Sequence, residues 1–163
     1  MDLLRRIQVT GFKSIREMDL ELGPLTVLIG ANGAGKSNLT SLFQMLGHAM
    51  RGNLRLFVAQ RGRAKSFLHR GPKYTEQISL GLEYGAGQGT HHYHADLAYA
   101  AGDMLIFKDE TVASRRGEQV QAEAPRSLGV GHGESLLGTK ADDGDEMARF
   151  AYEMLSGWGF YQF

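Results

Sequence analysis

Apolar and polar positions predict two strand-rich regions separated by a helical one. Residues 4–10 alternate loosely between polar and apolar side chains and predict a strand, and residues 18–22 predict a second, shorter one. After a turn at Gly23 and Pro24, residues 25–29 form a largely apolar run, which predicts a third strand. Residues 38–46 carry apolar side chains at helical spacing, so we expect a helix there, with Gly47 as its C-cap.

The rest of the chain predicts mainly antiparallel structure. Residues 53–60 fit a basic amphipathic helix and residues 64–68 a short turn, and residues 77–84, 91–99 and 104–111 alternate as in an antiparallel meander. Residues 118–144 have little periodicity and predict a mobile loop with one edge strand, followed by a helix over residues 145–155. The aromatic segment 158–163 stands at the chain end, where unpaired strands favour aggregation, so we expect a chain that is cut short.

Composition narrows the class of protein. The chain has 163 residues, of which 42% are hydrophobic, and this predicts one globular domain over residues 1–163. There is no cysteine, which excludes disulfides and thiolate metal sites. No apolar stretch approaches the ~20 residues needed to cross a bilayer, and no signal peptide is visible at the N-terminus. We therefore expect a cytoplasmic protein without membrane contact.

A phosphate-binding motif stands between the predicted third strand and the first helix. Its pattern is G-x-x-x-x-G-K-[ST], matched by Gly30, Ala31, Asn32, Gly33, Ala34, Gly35, Lys36 and Ser37. The glycines let successive backbone N–H groups surround a triphosphate, and the helix adds its positive dipole end. Lys36 would contact the β- and γ-phosphates as the candidate catalytic residue, and Ser37 would bind Mg²⁺. The motif predicts ATP and Mg²⁺ as ligands, while GTP stays open because no base-specifying motif is visible.

The first 46 residues carry a family resemblance. A strand, the turn Gly11-Phe12-Lys13-Ser14-Ile15, a second strand and the P-loop with Asn32 follow one another. This order resembles the N-terminal lobe of RecF/SMC-like ATPases of the ABC class. Within that class it is most similar to predicted RecF-like AAA ATPases related to the overcoming-lysogenization-defect family. The resemblance implies an α/β P-loop fold, with a mixed sheet around the P-loop helix and an antiparallel β-meander on one side.

The same resemblance suggests further site residues and partners. It places Asn38 directly after the P-loop and makes Lys13 a candidate nucleotide neighbour, although an exposed lysine in a strand turn is the alternative. The signature motif, Walker B strand and switch histidine would lie in a C-terminal lobe beyond residue 163. The partner would be that missing lobe or a second ATPase head in a homodimer. In the complete protein, hydrolysis would be coupled to head dimerisation and to DNA repair, chromosome maintenance or defence. The chain alone is expected to bind ATP and to hydrolyse it weakly or not at all.

One segment supports a rival reading. Residues 104–110 form an apolar run that ends in Asp109 and Glu110, as a Walker B strand does, but Lys108 interrupts it. The rival is a self-contained small P-loop NTPase or kinase that uses Asp109.

Three shorter patterns are weaker. Residues 155–158 resemble the start of a signature motif but lack its second glycine. His92 and His94 share one strand face and could bind a metal, yet no carboxylate or cysteine stands beside them at ligand spacing, which favours solvated histidines. Gln60 and Gln162 are candidate Q-loop residues.

Charge is distributed unevenly although the net charge is zero. Residues 22–75 contain eight Lys or Arg and no acid, whereas residues 76–163 contain fourteen acids and six bases. With Lys36 assigned to the nucleotide, seven bases could follow a DNA backbone: Arg51, Arg55, Arg61, Arg63, Lys65, Arg70 and Lys73. The favoured alternative is that they pair internally with the acidic half. A second rival function is therefore a non-catalytic nucleic-acid or protein interaction module.

Overall fold

The computed structural model describes residues 3–31, 35–86, 89–116 and 124–157. Within these ranges the fold is α/β, with helices on one face of a six-stranded sheet of order β2-β1-β3-β4-β5-β6. The strands are β1 Leu3–Phe12, β2 Ile15–Glu21, β3 Gln77–Ala86, β4 Gly89–Ala100, β5 Met104–Arg116 and β6 Arg126–Gly129. The helices are α1 Lys36–Met50, α2 Leu54–Gln60, α3 Leu137–Asp142 and α4 Glu146–Ser156, with a 3₁₀ turn Ala64–Ser66.

All neighbouring strands of this sheet are antiparallel. The predicted first two strands, the meander and the edge strand are thereby confirmed. The predicted mixed sheet is wrong for the described residues, because the meander strands continue from β1 by antiparallel pairing and no strand runs parallel to a neighbour.

The sheet has one apolar and one polar face. On β3, Ile78, Leu80 and Leu82 are buried in the core, while Ser79 and Glu83, at the alternate positions, face the other way. This period of two places the core on the helical side, where each buried aliphatic side chain contributes roughly 1.5–3 kcal/mol. On the open face, Arg6 on β1 contacts Asp19 on β2 through two hydrogen bonds. That hydrogen bonding lowers the pKa of Asp19 to about 2.

Helix α1 extends past its predicted end. Gly47 is buried inside the helix, so its prediction as the C-cap is wrong. The apolar stripe continues through Ala49 and Met50, and their burial outweighs the ~1 kcal/mol that an internal glycine costs. The helix ends instead at Met50, with Arg51 as its C-cap. Gly52 follows with φ +66° and its N–H donates to the Ala49 carbonyl, while Asn53 N–H donates to the His48 carbonyl. These two bonds form a Schellman motif, in which the left-handed glycine ends the helix.

The predicted third strand is absent. Residues 24–31 have no regular structure, and Leu25, Val27 and Ile29 are 84%, 69% and 92% exposed. An apolar run becomes a strand only when neighbouring strands pair its N–H and C=O groups and other residues cover its side chains. Among the described residues, no strand pairs with this segment.

The region 118–144 is more ordered than predicted. It contains β6, which pairs with β5, and the short helix α3, while residues 117–123 lie outside the described residues. The helix predicted over residues 145–155 is confirmed as α4, and the Asp145 carboxylate caps it by accepting from Ala148 N–H at 3.0 Å. The aromatic segment 158–163 lies outside the described residues. In the described part of the chain, no helix is long and apolar enough to span a membrane.

Candidate functional site

The turn between β1 and β2 fixes one side of the candidate site. Phe12 and Ile15 pair across a two-residue loop, and a Cβ on Gly11 would lie 2.5 Å from the Gln77 carbonyl oxygen. Only glycine therefore fits at position 11, where φ is +75°. The backbone N–H of Lys13 donates to the Phe67 carbonyl at 2.8 Å, which ties the turn to the segment after α2.

The Lys13 side chain is partly buried, so it is not the exposed turn lysine of the alternative reading. Its ammonium donates to Ser41 Oγ on α1 at 2.6 Å and lies 5.0 Å from the centre of the Phe67 ring. Burial lowers the pKa of Lys13, and the nearby Arg61 lowers it further. The Lys13 side chain is therefore hydrogen-bonded to the middle of α1. Its role beside the nucleotide stays a prediction.

Ser14 connects the same turn to the start of α1. Its hydroxyl accepts a hydrogen bond from the side-chain amide of Asn38, in the first turn of the helix. A Cβ on Gly35 would lie 3.3 Å from this hydroxyl. The structure thus brings Ser14, Gly35 and Asn38 together, although Ser14 precedes the other two by more than twenty residues in the sequence.

The described part of the P-loop consists of Gly30, Ala31 and residues 35–37, while Asn32, Gly33 and Ala34 lie outside the described residues. Gly35 has φ +93° and is the N-cap of α1, which begins at Lys36. The Lys36 ammonium donates to the carbonyl oxygens of Gly30 and Ala31, the latter at 2.8 Å. The lysine therefore lies over its own loop, and Ser37 is exposed beside it.

A cleft of about 510 Å³ adjoins Lys36. One wall comes from β2 and the turn before it, and the other from residues 28–29 and the start of α1. The apolar side chains that line it are Ile15, Met18, Leu20, Leu28, Ile29 and Leu39. The sequence motif did not reveal this cleft, because its walls come from segments that meet only in the fold.

The contacts of Glu110 indicate a structural role for its carboxylate. Its carboxylate is fully buried and accepts hydrogen bonds from Tyr93 Oη at 2.8 Å, Ser135 Oγ at 2.5 Å and Leu136 N at 2.9 Å. Asp109 lies opposite Asp96 on β4. Two strands, β3 and β4, separate β5 from β1, which corresponds to about 14 Å at ~4.8 Å per strand. Neither carboxylate adjoins the turn that touches the P-loop.

The remaining candidates are dispersed. His92 and His94 do share the open face of β4. The expectation that no carboxylate stands beside them is wrong, because Asp96 Oδ1 lies 3.4 Å from His94 Nε2. The described residues nevertheless contain no group of three or more ligands that could hold a metal ion. Ser156 ends α4 and Gly157 is its C-cap, so this part of the signature-like segment ends a helix. Gln60 is the last residue of α2, and Gln162 lies outside the described residues.

The seven basic residues are mostly unpaired with acids. Within the described residues, Lys65 is the one of the seven that forms an ion pair, with Asp103 at 3.7 Å. The Arg55 guanidinium contacts Met104 Sδ at 3.7 Å, and Arg61 lies over the Phe57 ring at 5.2 Å. The favoured hypothesis of internal pairing is therefore wrong for six of the seven in the described part of the chain.

Comparisons with known proteins agree with this N-terminal arrangement. Residues 1–68, which include the turn, the P-loop and α1, match the family described as "Protein of unknown function (DUF2813)". A 37-residue segment is 49% identical to the OLD nuclease of Thermus scotoductus and covers 23% of this chain. The N-terminal region of the chain resembles RecF-like ATPases of the OLD type.

A second relative has a related name. A 37-residue segment, 22% of this chain, is 51% identical to the DNA replication and repair protein RecF of Paenarthrobacter aurescens. The matched segments span 7% of the OLD nuclease and 9% of RecF. The chain therefore matches only a small part of each of these two relatives.

Proposed function

We propose that the RecF-like region of this chain binds ATP with Mg²⁺ at residues 30–37. The observation that carries the proposal is the position of Lys36, at the first residue of α1 and beside the 510 Å³ cleft. Its ammonium bonds neutral carbonyl oxygens of Gly30 and Ala31. A phosphate oxygen carries negative charge, so its attraction to the ammonium adds to the hydrogen bond, and a triphosphate would compete successfully with the neutral carbonyls. Binding therefore requires the Lys36 ammonium to exchange the carbonyl oxygens of Gly30 and Ala31 for phosphate oxygens.

The magnesium ion and the base have different candidate contacts. Ser37 is exposed next to Lys36 and offers a hydroxyl oxygen, a ligand type that Mg²⁺ accepts together with waters and phosphate oxygens. The apolar walls of the cleft suit a planar base, since ligand pockets combine apolar surface with few polar groups. The Lys13 ammonium donates a hydrogen bond to Ser41 on α1, the helix that begins at the P-loop.

The complete protein would couple ATP hydrolysis to DNA metabolism. This part of the proposal rests on the resemblance and on relatives named a nuclease and a DNA replication and repair protein. It also rests on the exposed apolar residues 25–29, which require a covering partner. A C-terminal lobe or a second ATPase head would supply that cover and the groups that orient the attacking water.

Titration of the chain with ATP and GTP in the presence of Mg²⁺ tests the proposal. We expect calorimetry to detect ATP binding that is lost with EDTA, and a phosphate-release assay on the same samples to detect little or no turnover. Light scattering of those samples measures whether ATP favours a dimer. Absence of nucleotide binding by a folded chain would refute the proposal, and rapid turnover by a monomer would support the small-NTPase rival.

The substitution Leu28→Ala distinguishes binding of the base from binding of the phosphates. Leu28 is 46% exposed, so its loss should change stability by less than ~0.5 kcal/mol. We expect ATP affinity to fall roughly three- to tenfold, because up to ~1.5 kcal/mol of apolar contact with the base is lost, and tripolyphosphate affinity to stay unchanged. Leu56→Ala, which removes another exposed leucine outside the cleft, is the matched control. Equal effects of the two substitutions on ATP would contradict the assignment of the cleft.

A further inference from the structure

Two arginines, a lysine and a histidine from three segments lie close to two buried rings and to one another. Arg61 lies 5.2 Å from the centre of the Phe57 ring, and His48 stacks on the same ring with centroids 4.4 Å apart. Lys13 lies 5.0 Å from the centre of the Phe67 ring, which is 5.9 Å from that of Phe57. Arg51 follows α1 at the same end as His48. We refer to Lys13, His48, Arg51 and Arg61 as the cationic cluster.

Besides burial, the two arginines of the cationic cluster lower the pKa values of its other members. Burial first, and then the charges of Arg51 and Arg61, lower the pKa of His48. Arg61 also contributes to the lowered pKa of Lys13, after burial. These charges therefore lie close enough to repel one another.

No acid compensates this repulsion nearby. Among the described residues, no member of the cluster forms an ion pair with a carboxylate, and residues 22–75 contain no Asp or Glu. The C-terminal dipoles of α1 and α2 offset part of the positive charge, since His48, Arg51 and Arg61 stand at those ends. Dipoles of this kind are worth a fraction of a full charge, so the surface keeps a positive potential that attracts anions.

We propose that the cationic cluster binds phosphate groups of a nucleic-acid backbone. Arg51 and Arg61 are exposed, which leaves their guanidinium groups accessible for bidentate contacts with phosphate. The two rings are 4% and 0% exposed, so no base can stack on them. Binding is therefore independent of base sequence. The same burial leaves the cluster no apolar side chain to insert into a membrane.

This site is distinct from the nucleotide site and does not depend on the proposed function. Both lie on α1, with the P-loop at its start and His48 near its end. The hydrogen bond from Lys13 to Ser41 joins the cluster to the middle of that helix. Only Arg51 and Arg61 belong to the seven basic residues identified from the sequence, since Lys13 and His48 join them through the fold.

Fluorescence anisotropy with labelled DNA of ~20 nucleotides, single-stranded and duplex, tests the proposal in a KCl series. We expect binding that weakens steeply with salt. Arg61→Ala and Arg51→Ala should each lower affinity roughly five- to tenfold at low salt and reduce the slope of log K against log [salt] by about one. Arg55→Ala is the matched control, because its guanidinium contacts Met104 on β5 instead of the cluster. It should change affinity less than twofold.

Thermal unfolding of the same variants separates binding from folding. The oligonucleotide should raise the Tm of the wild-type chain and leave that of the double variant R51A/R61A unchanged, while both fold without it. If the Ala variants fail to fold, the Gln variants replace them. Equal losses of affinity with Arg55→Ala, or binding of anionic vesicles in place of DNA, would overturn the proposal. Lys36→Ala should leave DNA binding without ATP unchanged, so failure of the nucleotide site and failure of the cluster are distinguishable.

Discussion

Lys36→Ala is expected to weaken Mg-ATP binding by a factor of ~100 or more. The Lys36 ammonium lies at the start of α1 and donates hydrogen bonds to carbonyl oxygens in the described part of the P-loop. Hydrogen bonds to charged groups contribute ~1.5–3 kcal/mol each, so loss of contacts to two phosphates corresponds to at least ~2.7 kcal/mol, or a hundredfold. Calorimetric titration of wild type and variant measures the change directly.

Stability should be almost unaffected by this substitution. Among the described residues, Lys36 donates to carbonyl oxygens of an exposed loop, and such surface changes stay within about ±0.5 kcal/mol. Lys65→Ala removes an exposed lysine from the same basic segment, which controls for a general loss of positive charge. If the two variants weaken ATP binding equally, the attraction is diffuse and the P-loop assignment fails.

Much of the fold follows from local pattern. The meander strands alternate with period two, and each finds its partner directly before or after it in the chain, so the pattern alone was sufficient. Residues 25–29 were mispredicted because hydrophobicity indicates a preference for burial and says nothing about whether a neighbouring strand is present. Similarly, Gly47 and Gly52 both offer a helix end, and only the packing of Ala49 and Met50 decides between them.

The site was predictable in part. The P-loop is contiguous in sequence, so its chemistry could be inferred from eight residues. The cleft could not be inferred, because Met18 and Leu28 approach each other only in the fold. The contact of Lys13 with Ser41 also depends on tertiary structure. For the same reason, charge counts predicted internal ion pairs for seven basic residues, and the described residues form one of them, between Lys65 and Asp103.

Glu110→Ala is expected to lower the free energy of unfolding by ~3–5 kcal/mol, because removing one partner of a buried charged network leaves the others unpaired. The carboxylate accepts from Tyr93, Ser135 and Leu136, and His132 Nε2 lies 3.6 Å from it. Burial, followed by the charge of Glu110, raises the pKa of the Tyr93 phenol well above its ordinary value, so this hydroxyl stays a donor. Urea denaturation measures the loss.

Two milder substitutions show whether the segment is structural or catalytic. Glu110→Gln keeps one acceptor oxygen and the side-chain volume, so it should cost less than the alanine variant, ~1–3 kcal/mol. Asp109→Asn changes a half-buried side chain beside Asp96 and should stay within ~0.5 kcal/mol. Neither should change ATP affinity of the folded chain, since β3 and β4 separate β5 from the turn at the P-loop. A large loss of ATP turnover in a folded Asp109→Asn variant would instead make Asp109 catalytic and the chain a self-contained NTPase.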